Sequence, residues 1–479
     1  CFLENIRKQA RRADVLIVNH ALLCADLSGE GYLLPEYNQV VIDEGHALED
    51  AATESFAITL SVSTISEELK RLQSISDAAV VEMVSDLRGK TFSLFELLFQ
   101  FVTANKKLVY NEEMQLILTP EMEGRTGWPE LMAAVKLWQE ACAKLERAIE
   151  KIELDDDELQ SEIASAAMTL QKYSNQFAFV FDLKEHEFVH WITAASAMPP
   201  YNCFLKAAPI AAGSFLQEHL FEKKDSVVIT SATLTVGGEF SYFLERMGFD
   251  PKLSGQYCHA LGSSFDYEKQ LLFCVPSDFP ASDEENFSSR TRDLFLPLFE
   301  TTKGRALVLF TSYSMLQKVY NKVRIDLEKK GITILCQGKH GSRRAILNRF
   351  KDNEKAVLFG TDSFWEGVDV PGAALSCVVM MKLPFSVPTE PVTAARVARY
   401  AAQGKDGFFS YSIPQAVMKF KQGLGRLIRT KDDKGVVILM DNRVLTKNYG
   451  KIFLKSIPGG APQVMPAKDI VSSTEKWLK

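Results

Sequence analysis

The amino-acid sequence predicts an α/β protein with two parallel-sheet domains and a helical insert in the first of them. Short, wholly apolar stretches alternate with helix-like stretches in residues 1–60 and again from about residue 265 to the end. Strands that are apolar on both faces are typical of parallel sheets covered by helices. Between residues 61 and 175 the apolar side chains recur at helical spacing instead, which indicates the insert.

Length, charge and cysteine content narrow the class of protein. With 479 residues the chain has room for about three domains, or for two large ones with an insertion. Its net charge of −6 means that a nucleic-acid site must be a local groove. We see no signal peptide and no apolar run near the ~20 residues that span a bilayer, so we expect no membrane contact and a cytosolic location. The scattered cysteines suit reduced thiols.

In the first domain, a polar helix ends at Arg7–Arg12, and buried strands are predicted at Asp14–Val18, Val40–Ile42 and Ser226–Thr230. In the second domain, the apolar stretches predict strands at Ala306–Phe310, Ile332–Cys336, Ala356–Phe359, Leu375–Met380 and Val436–Met440. The expected boundaries are 1–60 with 185–262 for the first domain, 61–184 for the insert and 263–479 for the second domain.

Two apolar stripes predict an antiparallel helical hairpin inside the insert. Their members recur every three or four residues: Leu131, Val135, Trp138, Cys142, Leu145, Ile149 and Ile152, then Leu159, Ile163, Ala166, Leu170, Tyr173 and Phe177. An intermolecular coiled coil is the alternative, but each stripe covers barely enough heptads. Phe177–Phe181 and Phe188–Ile192 are expected to form a β-hairpin that leads back to the first domain.

The segment Val40–His46 carries the strongest chemical signal. Its apolar residues deliver two adjacent carboxylates, Asp43 and Glu44, to the end of a strand. In P-loop nucleotide hydrolases one carboxylate at this place holds magnesium and the next polarises the attacking water. Taken alone, the pair has an equally good explanation as an acidic cap on the following helix.

Three further segments strengthen the chemical interpretation. Ser231-Ala232-Thr233 follows a strand and can hydrogen-bond to the carboxylates, although a simple turn explains it as well. Gly360–Gly372 combines glycines, acceptors and aromatic residues that suit a nucleotide or a base. In Gln422–Arg429 the polar residues Gln422, Arg426 and Arg429 recur at helical spacing, so we expect them to share a helix face. Such a face suits a γ-phosphate, whereas a solvated basic helix is the alternative.

Together these segments resemble the DinG/XPD-type DNA helicases of superfamily 2 over essentially the whole chain. Asp43-Glu44-Gly45-His46 is similar to their motif II, Ser231-Ala232-Thr233 to motif III, Phe310-Thr311-Ser312-Tyr313 to motif IV, Trp365-Glu366-Gly367-Val368-Asp369 to motif V, and Gln422 to Arg429 to motif VI. Ala13–Leu23 and Ala207–Ile210 are also similar to the family. The resemblance implies two RecA-like domains, with the insert in the place of the arch domain.

The resemblance also implies roles for individual residues. Asp43 would hold Mg²⁺, and Glu44 would orient water. The other roles are coupling of hydrolysis to motion by His46, Ser231 and Thr233; phosphoryl stabilisation by Arg426 and Arg429; ATP contacts by Gln422, Gly425, Glu366, Gly367 and Asp369; and DNA contacts by Asn19, His20, Ser312, Tyr313 and Trp365.

The sequence departs from the family pattern in two places. Gly45 stands where alanine is usual in motif II, a change that is conservative in size. No G-x-x-x-x-G-K-[ST] motif is present, since Val84 stands five residues before Gly89-Lys90-Thr91. We therefore expect the P-loop to precede Cys1, and we expect residues 1–479 alone to hydrolyse ATP at no more than background. Cys1 lies where the family carries the last ligand of an iron–sulfur cluster, and an incidental cysteine is equally plausible.

The predicted function is an ATP-dependent DNA helicase that moves 5′→3′ on single-stranded DNA and acts at duplex junctions. A monomer is favoured, and the sequence leaves the oligomeric state open. Two alternatives stay open. One is a non-hydrolytic DNA-binding remnant of such a motor, and the other is the helicase-like part of a DinG-type nuclease. The segment upstream of Cys1 would distinguish them.

Overall fold

The computed structural model describes residues 2–29, 33–72, 75, 77–109, 114–152, 157–195, 202–281, 284–365 and 374–479. The chain divides into two compact units. The first unit contains Cys1–Val40, Ala47–Val227 and Val387–Gln403, and the second contains Val41–His46, Val228–Ser386 and Gly404–Lys479. The predicted domain boundaries stay a prediction.

Helices and strands alternate through most of the described chain. The α-helices are α1 (Phe2–Ala10), α2 (His20–Ser28), α3 (Leu48–Ser55), α4 (Val62–Arg71), α5 (Ala78–Ala104), α6 (Trp128–Ile149), α7 (Asp157–Val180), α8 (Gly213–Leu216), α9 (Ser241–Arg246), α10 (Ser254–Tyr257), α11 (Tyr267–Gln270), α12 (Phe287–Thr301), α13 (Tyr313–Lys329), α14 (Arg343–Lys351), α15 (Pro391–Ala402), α16 (Ile413–Leu424), α17 (Arg443–Thr446), α18 (Gly450–Lys455) and α19 (Ala467–Leu478). The strands are β1 (Gln39–Ile42), β2 (Ile58–Ser61), β3 (Gln115–Leu118), β4 (Phe188–Ala194), β5 (Cys203–Pro209), β6 (Ser226–Ile229), β7 (Leu271–Pro276), β8 (Ala306–Leu309), β9 (Thr333–Cys336), β10 (Ala356–Gly360), β11 (Cys377–Met380), β12 (Gly435–Leu439) and β13 (Gln463–Met465). Within the described residues, no helix is both long and apolar enough to cross a membrane.

The strands β1 and β6 form a small sheet of their own at the two predicted segments. The prediction that these strands are buried was wrong, because Val41 is 72% exposed and Val228 is 47% exposed. Asn38 O accepts from Asp225 N at 2.9 Å, and Ile42 O accepts from Thr230 N at 2.8 Å, so the two strands run in the same direction. The strand predicted at Asp14–Val18 is absent, and Ile17 is 96% exposed. That prediction was wrong because an apolar stretch becomes a buried strand only where other strands pair with it. Among the described residues, β1 pairs only with β6.

The insert contains the predicted helical hairpin. Trp138 of α6 packs on Phe177 of α7 with 4.9 Å between ring centroids, and Cys142 Sγ donates to Leu170 O at 3.5 Å. Higher residue numbers in α6 thus meet lower ones in α7, as an antiparallel pair requires. Residues 153–156, between the two helices in the sequence, lie outside the described residues.

Two details of the insert differ from the prediction. Phe177–Val180 continues α7 and is not a β-strand, because its apolar residues also fit the helical period and Phe177 and Val180 complete the buried stripe. The partner of β4 is therefore β5, and β3 pairs with β4 on its other side, which gives the antiparallel order β2-β5-β4-β3. The insert is thus not made of helices alone.

The helix α15 covers one face of this antiparallel sheet, although it comes from the second half of the sequence. Val392 and Ala395 pack against Val189, Trp191 and Ala208. The opposite face of the sheet joins the helical core of the insert, to which Ile192, Leu205 and Ala207 contribute. The sheet therefore has apolar cover on both faces within the first unit.

Arg396 fixes α15 to α3 through a buried ion pair. Its side chain is 3% exposed, and Nη2 lies 2.9 Å from Glu49 Oε1. Arg396 Nη2 also donates to Thr53 Oγ1 at 2.8 Å, and Nε donates to Ile210 O at 2.9 Å. The fork of the guanidinium thus reaches α3 and the end of β5 at once.

The second unit is built on a seven-stranded parallel sheet with the order β13-β7-β12-β11-β8-β10-β9. The five strands that the sequence predicted are confirmed as β8 to β12. β7 and β13 were not predicted. Buried apolar residues cover both faces of the sheet, which explains why its strands are continuous apolar stretches.

His190 makes the stability of the first unit sensitive to pH. The ring is 4% exposed, and Nδ1 lies 2.7 Å from Val180 O, whereas Nε2 has no hydrogen-bond partner among the described residues. Burial lowers the pKa of His190 from the usual 6.5, and this effect outweighs the hydrogen bond to Val180 and the charges of Glu185 and Asp182. The unfolded chain therefore binds a proton first, and stability falls as pH drops below about 6.5.

We expect His190→Gln to reduce this acid sensitivity, because glutamine can donate to Val180 O and does not titrate. Hydrogen exchange in β4 and β5 at pH 7.5 and pH 5.5 measures the stability of the unit. An equal loss of protection in the wild type and the variant between these pH values would contradict the assignment. His259, outside this unit, serves as the control position for the same substitution.

Arg396→Met should lower the free energy of local unfolding of α3 and α15 by about 3 to 5 kcal/mol, because it leaves Glu49 buried without its partner. The double variant Arg396→Met/Glu49→Met should be less destabilised than Arg396→Met, since no unpaired charge remains. Arg399→Met is the matched control on the same helix. Its partner Glu187 lies 2.8 Å away in an exposed ion pair, and the expected loss is about 1 kcal/mol or less. Native-state hydrogen exchange measures these free energies. Equal losses of free energy for Arg396→Met and Arg399→Met would refute the role of Arg396 in fixing α15 to α3.

Candidate functional site

The two carboxylates predicted as catalytic lie directly after β1. Asp43 Oδ1 accepts from Thr230 Oγ1 at 3.0 Å and from Glu44 N at 2.9 Å, and Gly45 N donates to Thr230 O at 2.9 Å. The acidic turn is thus tied to the residue that follows β6. These contacts fix the orientation of the Asp43 carboxylate, which accepts both hydrogen bonds through Oδ1.

Glu44 adopts a backbone conformation that is unusual for a residue with a side chain. Its φ is +50°, in the left-handed region, and its side chain is 63% exposed. Such a conformation costs about 1 to 3 kcal/mol and persists only where the surroundings impose it. Here the hydrogen bonds of Asp43 and Gly45 on either side impose it, and they turn the Glu44 carboxylate towards solvent.

His46 connects the acidic turn to the Ser231–Thr233 segment. Its Nδ1 lies 2.9 Å from Ser231 Oγ, 3.2 Å from Thr233 Oγ1 and 3.4 Å from Glu44 Oε2. The side chain is 8% exposed, so the imidazole can shift only together with these hydroxyls. The structure therefore brings together Glu44, His46, Ser231 and Thr233, which the sequence assigned to chemistry and coupling.

Gly45 is not freely replaceable by alanine in this chain. A Cβ at Gly45 would lie 2.1 Å from Ile229 Cγ2. The side chain of Ile229 thus occupies the place of the missing methyl group. The difference between alanine and glycine is small in size, but the strand that packs on Gly45 leaves no room for the additional methyl group unless Ile229 moves.

The arginine-bearing segment differs from the single helix face that was predicted. The helix α16 ends at Leu424, and Arg426 and Arg429 lie in the turn and loop that follow. Arg426 Nε donates to Trp365 O at 2.9 Å. The helix ends early because Asp433 accepts hydrogen bonds from Arg429 N and Thr430 N, which holds the chain in a loop.

Gln422 and the neighbouring glycines lie at different depths. Gln422 is 8% exposed, and its Oε1 has no hydrogen-bond partner within the described part of the chain. A Cβ at Gly423 would lie 2.9 Å from Trp365 Cε3, so this glycine allows the helix to approach the indole ring. At Gly425 the nearest atom to a Cβ would be 3.5 Å away, which is an ordinary contact.

Trp365 and Phe364 are fully buried, and Trp365 Nε1 donates to Phe310 O at 3.2 Å. Stacking on a base requires an exposed ring, so Trp365 is not part of the candidate DNA surface. Glu366, Gly367 and Asp369 lie outside the described residues.

The other predicted DNA contacts are exposed or partly exposed. Ser312 caps α13 by accepting from Met315 N at 3.3 Å, and Tyr313 is 48% exposed. Asn19 caps α2 by accepting from Leu22 N at 2.8 Å, with His20 as the first helical residue. Asn19 belongs to the first unit and Ser312 to the second.

A basic segment beside Tyr313 was missed in the sequence. Residues 337–351 contain five basic residues and no acidic one: Lys339, Arg343, Arg344, Arg349 and Lys351. The segment begins where β9 ends, and a Cβ at Gly338 would lie 2.1 Å from the Tyr313 hydroxyl, so the two loops touch. The run of charge could have identified it.

A polar cluster at the same sheet edge was also missed. Gln337 Oε1 accepts from Thr361 N at 2.7 Å and from Thr361 Oγ1 at 2.9 Å. These contacts join the ends of the neighbouring strands β9 and β10. No sequence motif marks Gln337, because only the register of the two strands brings it to Thr361.

The donor groups fit magnesium better than a metal held by protein alone. Among the described residues, no cluster of three or more His, Cys, Asp or Glu side chains could hold a metal ion. Mg²⁺ is usually held by one or two carboxylates together with phosphate oxygens and water. The carboxylate of Asp43 fits this kind of site. The described cysteines are free thiols, and Cys1 lies outside the described residues.

Comparison with known proteins agrees with this geometry. The family of the helicase C-terminal domain matches residues 295–460. The chain is 33% identical over 480 residues to the ATP-dependent DNA helicase YoaA of Haemophilus influenzae, which covers 96% of this chain and 69% of that protein. It is 29% identical over 497 residues to the 3′-5′ exonuclease DinG of Bacillus subtilis, covering 95% of this chain and 53% of that one.

The fold is similar to a solved structure of an XPD helicase. The TM-score is 0.57 at 16% identity, and the match covers 96% of this chain and 75% of the other. This likeness confirms the predicted α/β fold class. Together with the sequence identity to YoaA, it shows that the chain belongs to the DinG/YoaA family of ATP-dependent DNA helicases.

Proposed function

We propose that this chain is the motor of an ATP-dependent DNA helicase that moves 5′→3′ on single-stranded DNA. The observation that carries the proposal is the hydrogen-bonded group of Asp43, Glu44, His46, Ser231 and Thr233. His46 joins the Glu44 carboxylate to the hydroxyls of Ser231 and Thr233, and Thr230 Oγ1 holds the Asp43 carboxylate at the same strand end. Membership of the DinG/YoaA family adds the identity of the reaction.

Asp43 would hold the Mg²⁺ that neutralises the phosphates of ATP. Glu44, with its exposed carboxylate, would accept a proton from the attacking water or orient it. His46 would sense the state of Glu44, since its Nδ1 lies within 3.4 Å of that carboxylate and within hydrogen-bond distance of two hydroxyls. Loss of the γ-phosphate would then reach Ser231 and Thr233.

Arg426 and Arg429 would stabilise the charge that develops on the transferring phosphoryl group. Gln422 and Gly425 would contact the nucleotide, and so would Glu366, Gly367 and Asp369. The hydrogen bond from Arg426 Nε to Trp365 O fixes the orientation of that guanidinium, so it would meet a phosphate without first having to be ordered.

We assign DNA contact in the second unit to the edge formed by Ser312, Tyr313 and the basic segment of residues 337–351. In a protein with a net charge of −6, the five basic residues of 337–351, a range with no acidic residue, make a local site for the phosphate backbone. The half-exposed ring of Tyr313 can stack on a base. Asn19 and His20 are proposed contacts of the first unit.

Several finer points belong to the same proposal. The resemblance supports action at duplex junctions, a monomeric protein and a location in the bacterial cytosol. A ligand role of Cys1 in an iron–sulfur cluster stays a prediction, since its partners would come from other parts of the protein. Two alternatives stay open. A DNA-binding remnant without hydrolysis predicts that turnover does not depend on Glu44, and the other alternative is the helicase-like part of a nuclease.

The first test concerns DNA binding by residues 1–479. Arg343→Gln/Arg344→Gln should weaken binding to a single-stranded oligonucleotide and flatten the plot of log K against log salt concentration by about 0.7 for each DNA phosphate that the variant no longer neutralises. Fluorescence anisotropy at several salt concentrations measures both. Lys468→Gln/Lys476→Gln, which removes two exposed charges from α19, is the matched control. Equal slopes for the two variants would rule out this surface.

The second test concerns the carboxylate in a protein that contains this chain and hydrolyses ATP. Glu44→Gln should leave ATP binding largely intact and reduce turnover by about 10²- to 10⁴-fold, because the amide cannot accept the proton. Turnover with single-stranded DNA and binding of a fluorescent ATP analogue are the two measurements. Glu54→Gln on α3 is the control. Wild-type turnover of Glu44→Gln would show that Glu44 takes no part in hydrolysis, as the alternative of a remnant without hydrolysis of its own requires.

A further inference from the structure

Lys421 makes a specific contact with the segment that follows Ser231–Thr233. Lys421 Nζ donates to Thr235 O at 3.0 Å and to Thr235 Oγ1 at 3.1 Å. The two residues are 186 positions apart in the sequence, and both lie in the second unit. The ammonium thus binds the backbone and the side chain of one residue.

Each end of this contact leads to a different part of the candidate site. Thr235 is two residues beyond Thr233, whose hydroxyl lies 3.2 Å from His46 Nδ1. Lys421 is in the last turn of α16, immediately before Gln422 and five residues before Arg426. The contact therefore joins the imidazole–hydroxyl group to the segment that carries the arginines.

Stability alone does not account for a lysine at this position. Lys421 is half-buried, and burial lowers its pKa below the usual 10.5. Desolvation of an ammonium group costs free energy, and an apolar side chain of similar length would fill the same space without that cost. The half-buried ammonium group of Lys421 contacts two oxygens of Thr235 and so fixes the orientation of Thr235 relative to α16.

We propose that Lys421 is a positioning residue that couples the state of His46, Ser231 and Thr233 to the placement of Arg426. The proposal rests on the proposed function, because it assumes hydrolysis at Asp43 and Glu44. A shift of the Ser231–Thr235 segment would be transmitted to α16 through the ammonium. Because the contact does not touch nucleotide, it would affect the transition state more than ATP binding.

The test compares Lys421→Met with the wild type in a protein that contains the whole chain and hydrolyses ATP. Methionine keeps the length and apolar stem but removes the donors. We expect kcat with saturating single-stranded DNA to fall by about tenfold or more, with KM for ATP changed by less than about twofold. Lys421→Arg, which keeps donors and charge, should recover part of kcat.

A second measurement does not depend on activity. In residues 1–479, Lys421→Met should raise hydrogen exchange at the amides of residues 233–237, as measured by mass spectrometry of peptides. Thr235→Val removes the hydroxyl and keeps the carbonyl, so its effect should be smaller. The double variant Lys421→Met/Thr235→Val should be no worse than Lys421→Met, because both changes remove one interaction.

Lys405→Met is the matched control, since Lys405 forms an ion pair with Glu245 at 3.2 Å in the same unit and is 49% exposed. It should keep the wild-type kcat and exchange. A wild-type protein without DNA-stimulated hydrolysis would overturn the proposed function, and the role of Lys421 with it. DNA-stimulated hydrolysis that is unchanged in Lys421→Met, or additive losses in the double variant, would overturn the role of Lys421 alone.

Discussion

Thr230 holds the acidic turn to the end of β6 through three hydrogen bonds, and the geometry of the candidate site follows from them. Its N–H donates to Ile42 O, its carbonyl accepts from Gly45 N, and its hydroxyl donates to Asp43 Oδ1. With both flanks fixed, Glu44 is forced into the left-handed region and His46 is placed over Ser231 and Thr233. One threonine thus converts the end of a strand into an oriented set of chemical groups.

The first unit owes its integrity to a helix that is distant in the sequence. Arg396 and Thr53 are 343 residues apart, yet they share a hydrogen bond in a buried environment. The helix α15 covers the antiparallel sheet β2-β5-β4-β3 and also contacts α3, the helix that follows the acidic turn. Because residues on either side of α15 in the sequence belong to the second unit, the first unit is complete only when Val387–Gln403 has been made.

The sequence allowed the five adjacent strands β8 to β12 of the second unit and the helical hairpin to be predicted, because their apolar side chains are buried by neighbours close in the chain or in one sheet. The pattern failed at Asp14–Val18, where no described strand pairs with the segment, and at Phe177–Val180, where the same residues fit two periods. In the site, Glu44, His46, Ser231 and Thr233 come together as expected, and Thr230 holds Asp43 beside Glu44. The contacts of Lys421 and Gln337 depend on the folded register, and a local pattern does not encode them.

The packing of Ile229 against Gly45 restricts which substitutions each of the two positions can accept. The volume of a methyl group is supplied here by the strand and not by the acidic turn, so the two positions form a compensated pair. A drift of Gly45 to alanine would first meet the isoleucine methyl group, and a drift of Ile229 to a smaller residue would first open a cavity beside the turn. In this chain the side chain that can stand at position 45 is therefore restricted by its neighbour on β6, in addition to the motif in which it stands.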